Sequence, residues 1–167
     1  MLQHIKYNEY LPQAMEQLPR GAFLTVKSGD LLNTMTIGWG TIGYIWEMPI
    51  FTVAVRYSRH TYELINQAGE FTVSFPLDVS LKKELALCGT KSGRDMDKFQ
   101  EGGLTAQPAQ AVATPVIEQC QLHYECRTVY KQTMEPVLLS PKIKRKTYSG
   151  PDYHTLYYGQ ILACYKQ

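Results

Sequence analysis

Over residues 120–130 the chain alternates strictly. Cys120, Leu122, Tyr124, Cys126, Thr128 and Tyr130 fall on one parity, and Gln121, His123, Glu125, Arg127 and Val129 on the other. A period of two sends successive side chains to opposite faces of a strand and does not fit a helical stripe. It predicts a strand with one face on the core and one wetter face. Further strands are predicted at "AFLTVK" from Ala22, "LLNTMTIGWG" from Leu31, "IFTVAVRY" from Ile50, "EFTVSFP" from Glu70 and "TLYYGQILACY" over residues 155–165. The run from Ile50 is almost wholly apolar and β-branched, which predicts burial on both faces. "SGD" at residues 28–30 is a turn, so the first two strands read as a hairpin.

Helical spacing appears first at Leu11, Ala14, Met15 and Leu18, with Pro12 in the first turn and Pro19 and Gly21 as the stop. A second short helix carries Leu64 and Ile65, with Ser58 or Thr61 as its cap and Gly69 at its end. A third starts at Ser80 and stops at Gly89. The stretch "TAQPAQAVATPV" over residues 105–116 is too rich in alanine and proline for a regular element. Six or seven strands with helices inserted between some of them make the chain mainly β, a small barrel with helical insertions. Regular βα alternation is absent, and neither repeat nor linker divides residues 1–167, so one domain is expected.

Composition removes several function classes. The formal charge of +2 is too mild for nucleic-acid binding, and the densest basic run is the short "KIKRK" at residues 142–146, read as a solvated loop or edge strand or as an anion site. No apolar run approaches the ~18 residues of a membrane span, and the first residues do not read as a secretory leader. Four scattered cysteines, Cys88, Cys120, Cys126 and Cys164, fit small core residues in a reducing cytoplasm and do not make a metal site. Twelve tyrosines favour strands and an aromatic-lined site or interface.

The sharpest chemical signal is "RYSRHT" at residues 56–61, where a strand meets a helix. The first N–H groups of a helix are unpaired and its dipole favours an anion. The hydroxyls of Ser58 and Thr61 add neutral donors, and Arg56 and Arg59 add forked charge suited to phosphate. The same residues read equally as a helix cap with two surface arginines; His60 reads as a solvent-facing bystander. In "SGRDMDKF", Ser92, Gly93 and Arg94 form a turn that approaches an anion with Lys98, or an exposed loop in which Asp95 and Asp97 pair the cations. In "NTMTIGWG", Asn33, Thr34 and Thr36 are polar beyond what packing asks of a strand. Gly38 and Gly40 beside Trp39 suggest a close approach by something flat or by another backbone, or a bulge with Trp39 in the core. Glycine-rich dinucleotide and Walker loops, a nucleophile elbow and paired catalytic carboxylates are all missing, which suits a cofactor that carries its own chemistry.

Four separated motifs, "NTMTIGWGTIGYIWEMP", "VRYSRHTYELINQAGEFTVSFP", "CGTKSGRDMDKF" and "YHTLYYGQIL", resemble in order and spacing the flavin reductase-like family, over roughly residues 21–165. The resemblance implies an FMN-binding split β-barrel that works as a homodimer with a flavin near the subunit interface. It implies hydride transfer from NADH or NADPH to the flavin and onward electron transfer to an unnamed acceptor. By the same resemblance Arg56, Ser58, Arg59 and Thr61 hold the FMN phosphate. Asn33, Thr34, Met35 and Thr36 line the flavin ring, and Cys88, Gly89, Ser92, Gly93 and Arg94 form a second loop near the ribityl chain and phosphate. His154 matches a frequent histidine before the last strand, with a nicotinamide role or an ordinary strand-end role. Trp39 and Trp46 shield the flavin or pack the dimer. Residues 140–153 have no family role and read as an edge hairpin over the site mouth. Two other readings stand beside the reductase: a flavoredoxin-type electron carrier without a productive nicotinamide site, and a split-barrel protein for another phosphorylated or haem-like ligand.

Overall fold

The computed structural model describes residues 2–78 and 80–167. In chain order its elements are β1 (Gln3–His4), α1 (Leu11–Gln17), β2 (Ala22–Ser28), β3 (Leu31–Ile37), β4 (Gly40–Ile45), β5 (Met48–Arg56), α2 (His60–Ala68) and β6 (Glu70–Phe75). There follow α3 (Lys82–Thr90), α4 (Lys98–Gly102), β7 (Ala106–Gln107), β8 (Val116–Ile117), β9 (Leu122–Thr133), α5 (Pro141–Thr147) and β10 (His154–Lys166). One antiparallel sheet runs β3-β2-β6-β9-β10-β5-β4, with β1 added to β10, and β7 pairs with β8 apart from it.

The two strands at opposite ends of that sheet are consecutive in the chain. Only Gly38 and Trp39 separate the last residue of β3 from the first of β4, and three Cα–Cα steps span at most about 11 Å. The sheet therefore has to roll up until its edges meet at that corner. It closes there without a shared hydrogen-bond ladder, which makes a split barrel. The long "LLNTMTIGWG" strand expected from the sequence is thus two strands with a corner between them, and Trp39 is half exposed instead of lying in the core. At Gly40 a Cβ would stand 2.9 Å from the Thr52 carbonyl of β5, so the strand beside it sets the need for glycine. The β4–β5 turn puts Trp46 and Glu47 at positive φ, the geometry of a two-residue I′-type hairpin without its usual glycine.

Inside the barrel, Leu24, Val26, Phe51, Val53, Phe71, Val73, Phe75, Tyr124, Cys126 and Tyr157 form the main core. A second cluster of Phe23, Leu85, Cys88, Leu104, Ile117 and Cys120 lies under α3 and the segment that follows it. All four cysteines are free and buried. The expected run from Ile50 is buried on both faces at Ile50–Val53, as its composition predicts.

The alternation of β9 is real, but its second face is wet only from Arg127 onward and dry before it. His123 and Glu125 are fully buried, whereas Tyr130 on the supposed core parity is 44% exposed. The cause is the alanine- and proline-rich stretch, which folds back over β9. Glu125 accepts the backbone N–H groups of Gln110, Ala111 and Val112, and Glu70 accepts those of Ala113 and Thr114. Two carboxylates thus pair five N–H groups that a covering loop would otherwise leave unsatisfied.

Two helix boundaries and one whole helix also differ from the sequence reading. Helix α2 is capped by Arg59 without a side-chain bond, since Ser58 points elsewhere and Thr61 is already inside the first turn. Helix α3 begins at Lys82 and runs through Gly89 to Thr90. Residues 141–147 form α5 in place of the expected hairpin, loop or edge strand, with Ser140 Oγ accepting from Ile143 N and Pro141 in the first turn.

Candidate functional site

Strand β5 ends at Arg56 and helix α2 starts at His60, and the junction between them forms one wall of a polar cavity of about 280 Å³. Asn33 and Met35 of β3, Thr90 to Gly93, Lys98 and Asp152 supply the rest of its lining. A second cavity of about 160 Å³ shares Met35, Arg56 and Arg59 with the first and continues to Thr36–Trp39, Ala54 and His154. The two form one bent groove that crosses the open corner of the barrel.

The cationic end is densely bonded. Arg59 Nη1 donates to Gly89 O at 2.7 Å and its side chain faces both cavities. Arg56 donates to the carbonyls of Asp152 and Thr147 at 3.0 and 3.2 Å, and its guanidinium lies 5.1 Å over the Tyr148 ring. Ser58 N and Oγ donate to the two carboxylate oxygens of Asp152 at 3.0 and 2.7 Å. Thr61 Oγ1 accepts from Asn33 Nδ2 at 2.9 Å, tying the helix to β3 below the cavity floor.

Lys98 is the least expected member. It is 4% exposed and donates to Thr34 O and Cys88 O, both at 3.0 Å, which leaves one ammonium proton for the cavity it lines. Burial holds its pKa below the ordinary lysine value, with Cys88 acting against that and Arg59 adding to it. Burial likewise raises the Cys88 thiol to about 11, so this cysteine stays protonated and inert. Close to Lys98, Gly93 sits so near Asn33 that a Cβ would run into Asn33 Oδ1; only glycine lets the loop reach β3.

At the far end of the groove His154 opens β10. It is 8% exposed, its Nδ1 lies 2.7 Å from Tyr148 Oη, and the Trp39 ring covers it at a centroid distance of 4.8 Å. Burial, then the nearby Arg56 charge, lowers its pKa to about 4. The imidazole is neutral at physiological pH.

Nine of the thirteen residues singled out for a cofactor line this groove: Asn33, Met35, Thr36, Arg56, Ser58, Arg59, Thr61, Ser92 and Gly93. The other four do not. Thr34 turns its hydroxyl to Thr25 and Leu24 O, and only its carbonyl serves the site, through Lys98. Cys88 and Gly89 contribute carbonyls to Lys98 and Arg59. Arg94 pins its loop to α2 by bonds to Ser58 O and Glu63. Among the other lining residues, Ile37, Ala54, Thr90, Lys91 and Asp152 have no site role in the sequence reading, and His60 is expected there in solvent. His60 instead lines the larger cavity, with Glu63 Oε2 3.5 Å from its Nδ1.

The donor set is suited to an oxyanion. Arg59 and Lys98 supply charge, the helix N-terminus adds its dipole, and the Ser58 N–H and hydroxyl already hold one carboxylate, that of Asp152. Among the described residues no cluster of three or more metal-ligating side chains exists, and no helix is long and apolar enough to cross a membrane.

Residues 15–167 match the family model described as the flavin reductase like domain. The chain is 31% identical over 144 residues to an uncharacterized protein of Archaeoglobus fulgidus, an alignment covering 86% of this chain and 71% of that one. Among solved structures it is similar to a flavoredoxin from Methanosarcina acetivorans, at 28% identity and a TM-score of 0.67, covering 88% of this chain and 68% of that one. The flavoredoxin of Desulfovibrio vulgaris shares the fold at 23% identity and a TM-score of 0.69, with 88% and 69% covered.

Proposed function

The chain belongs to the flavin reductase like domain family, and we propose that it binds FMN along the bent groove and acts as a flavin-dependent oxidoreductase. The observation that carries this reading is the junction after β5, where Ser58 and Lys98 line one cavity of the groove, Trp39 and His154 line the other, and Met35, Arg56 and Arg59 line both. Arg59, Ser58, Thr61, Ser92 and Gly93 would hold the phosphate end, with Arg56 fixing the wall behind them. Asn33, Met35 and Thr36 would line the ring, while Thr34, Cys88, Gly89 and Arg94 support that shell from outside it.

The redox chemistry of such a site is that of its flavin, with hydride taken from NADH or NADPH and electrons passed to an acceptor. The side chains bind, orient and exclude water; none is placed as nucleophile or general base. Lys98 and Arg59 would stabilise negative charge on a bound ring or phosphate.

A second reading, a carrier that holds flavin without a productive nicotinamide site, is supported by the likeness to the Methanosarcina acetivorans flavoredoxin. A homodimer is supported by the exposed Tyr44, Ile45, Trp46, Val129 and Tyr130, with the Trp46 ring edge-on to those of Tyr130 and Tyr158. The free, buried cysteines suit a reducing compartment such as the cytoplasm, and residues 1–167 are read as one domain.

The decisive measurement is the visible spectrum after incubation with FMN and removal of unbound cofactor. About one flavin per chain is expected, and a colourless protein overturns the reading. Steady-state NADH and NADPH oxidation by the loaded protein then separates reductase from carrier.

A further inference from the structure

We propose that Tyr148 is a positioning residue that holds His154 with its single proton on Nε2, so that the imidazole offers a hydrogen-bond donor to a carbonyl oxygen of a ring bound in the smaller cavity. The ligand half of this rests on the flavin reading above; the tautomer does not.

Tyr148 is 7% exposed and has one hydroxyl proton and two candidate acceptors, His154 Nδ1 at 2.7 Å and Met134 Sδ at 3.1 Å. An unprotonated imidazole nitrogen is a much stronger acceptor than a thioether. The 2.7 Å separation also belongs to the range of O–H donors, while N–H donors centre near 2.9–3.0 Å. The hydroxyl therefore donates to Nδ1. Arg56, 5.1 Å over the phenol ring, favours that direction because a cation there stabilises electron density drawn onto the oxygen.

Three charged groups face the imidazole. Arg56 and Arg59 disfavour a second proton on it, Asp152 favours one, and burial outweighs them all. With Nδ1 engaged as acceptor, the neutral ring carries its proton on Nε2. His154 lines the cavity with Thr36, Trp39, Ala54 and Arg56, and there the ring serves as donor and not as base. The acceptor it suits is a carbonyl oxygen, either on the pyrimidine part of a flavin or in the carboxamide of a nicotinamide.

The test uses the whole chain labelled with ¹⁵N-histidine, with no cofactor added. Between pH 6 and 8 the His154 signals should report a bare, hydrogen-bonded Nδ1 and a protonated Nε2; a protonated Nδ1 overturns the proposal without any variant being made. Tyr148→Phe removes the bond that stabilises the neutral ring, so His154 should titrate higher by roughly 0.7 pH, the equivalent of one neutral hydrogen bond. An unchanged or lower titration overturns the assigned direction. Met134→Leu should leave both tautomer and titration in place, and a switch of tautomer there also overturns it.

FMN and then NAD⁺ are added last. A shift of the Nε2–H signal with one of them identifies whose carbonyl accepts. If absorbance shows flavin bound and neither addition moves the signal, the donor role fails. If no flavin binds, it is the functional reading that fails, and the tautomer result stands apart from it.

Discussion

Ser58 gives both its backbone N–H and its hydroxyl to one carboxylate, that of Asp152, at 3.0 and 2.7 Å. Arg56 Nη1 stands 3.8 Å from the same group. The carboxylate makes the contacts that an incoming oxyanion would make, so the two compete for one set of donors. Asp152→Asn is expected to tighten FMN binding about five-fold, the worth of one competing hydrogen bond. Titration calorimetry of the apo chain measures it; weaker binding in the variant would place Asp152 among the groups that assist the anion.

Arg59 faces both halves of the groove and spends one guanidinium nitrogen on Gly89 O. Arg59→Ala is expected to weaken FMN retention at least ten-fold, in line with a lost charge-assisted bond of about 1.5–3 kcal/mol. Turnover per bound flavin should change little. Normal retention with loss of nicotinamide oxidation would reassign this arginine to the redox end.

Lys98 joins two backbone carbonyls from different elements, Thr34 O on β3 and Cys88 O on α3. Lys98→Met keeps the stem and removes both bonds, leaving two acceptors unpaired in a buried setting. A loss of about 3 kcal/mol is expected, read from the denaturant midpoint. A variant as stable as the parent would show that water replaces the ammonium.

His123 is fully buried, with Nδ1 on Ser74 Oγ, and burial lowers its pKa to about 4 from 6.5. Below pH 6.5 the unfolded chain binds this proton and the folded chain does not, so stability is present above 6.5 and lost as pH falls toward 4. The loss from this residue is about 2 kcal/mol by pH 5. His123→Phe should flatten that stretch of a stability–pH curve, whereas an equally steep curve would assign the acid sensitivity to other groups.

Strand positions and the gathering of polar side chains at the β5–α2 junction were legible because both are local. Alternation marks β9 and β10, and "RYSRHT" brings its donors together in six consecutive residues. What sequence hid was non-local. Nothing within 120–130 says that Glu125 will face the backbone of residues 110–112, so the burial of His123 and Glu125 could not be read from the pattern of β9. The polar and apolar rhythm also runs unbroken through Ile37–Gly38–Trp39–Gly40, and only the sheet order shows a corner there. Asp152 belongs to a stretch without periodicity and reaches Ser58 across 94 positions. Helix α5 is a different case: Ser140 followed by Pro141 is a local start signal that the expectation of a loop, edge strand or hairpin did not use.

Strand β10 lies between β9 and β5 and also carries β1. Without it the sheet falls into two pieces, β3-β2-β6-β9 on one side and β5-β4 on the other. Until residues 154–166 join them, the two pieces keep the backbone edges of β9 and β5 that face β10 unpaired. Completion of the barrel is thus a late, long-range event, of the kind that folds slowly and exposes the nascent chain to aggregation.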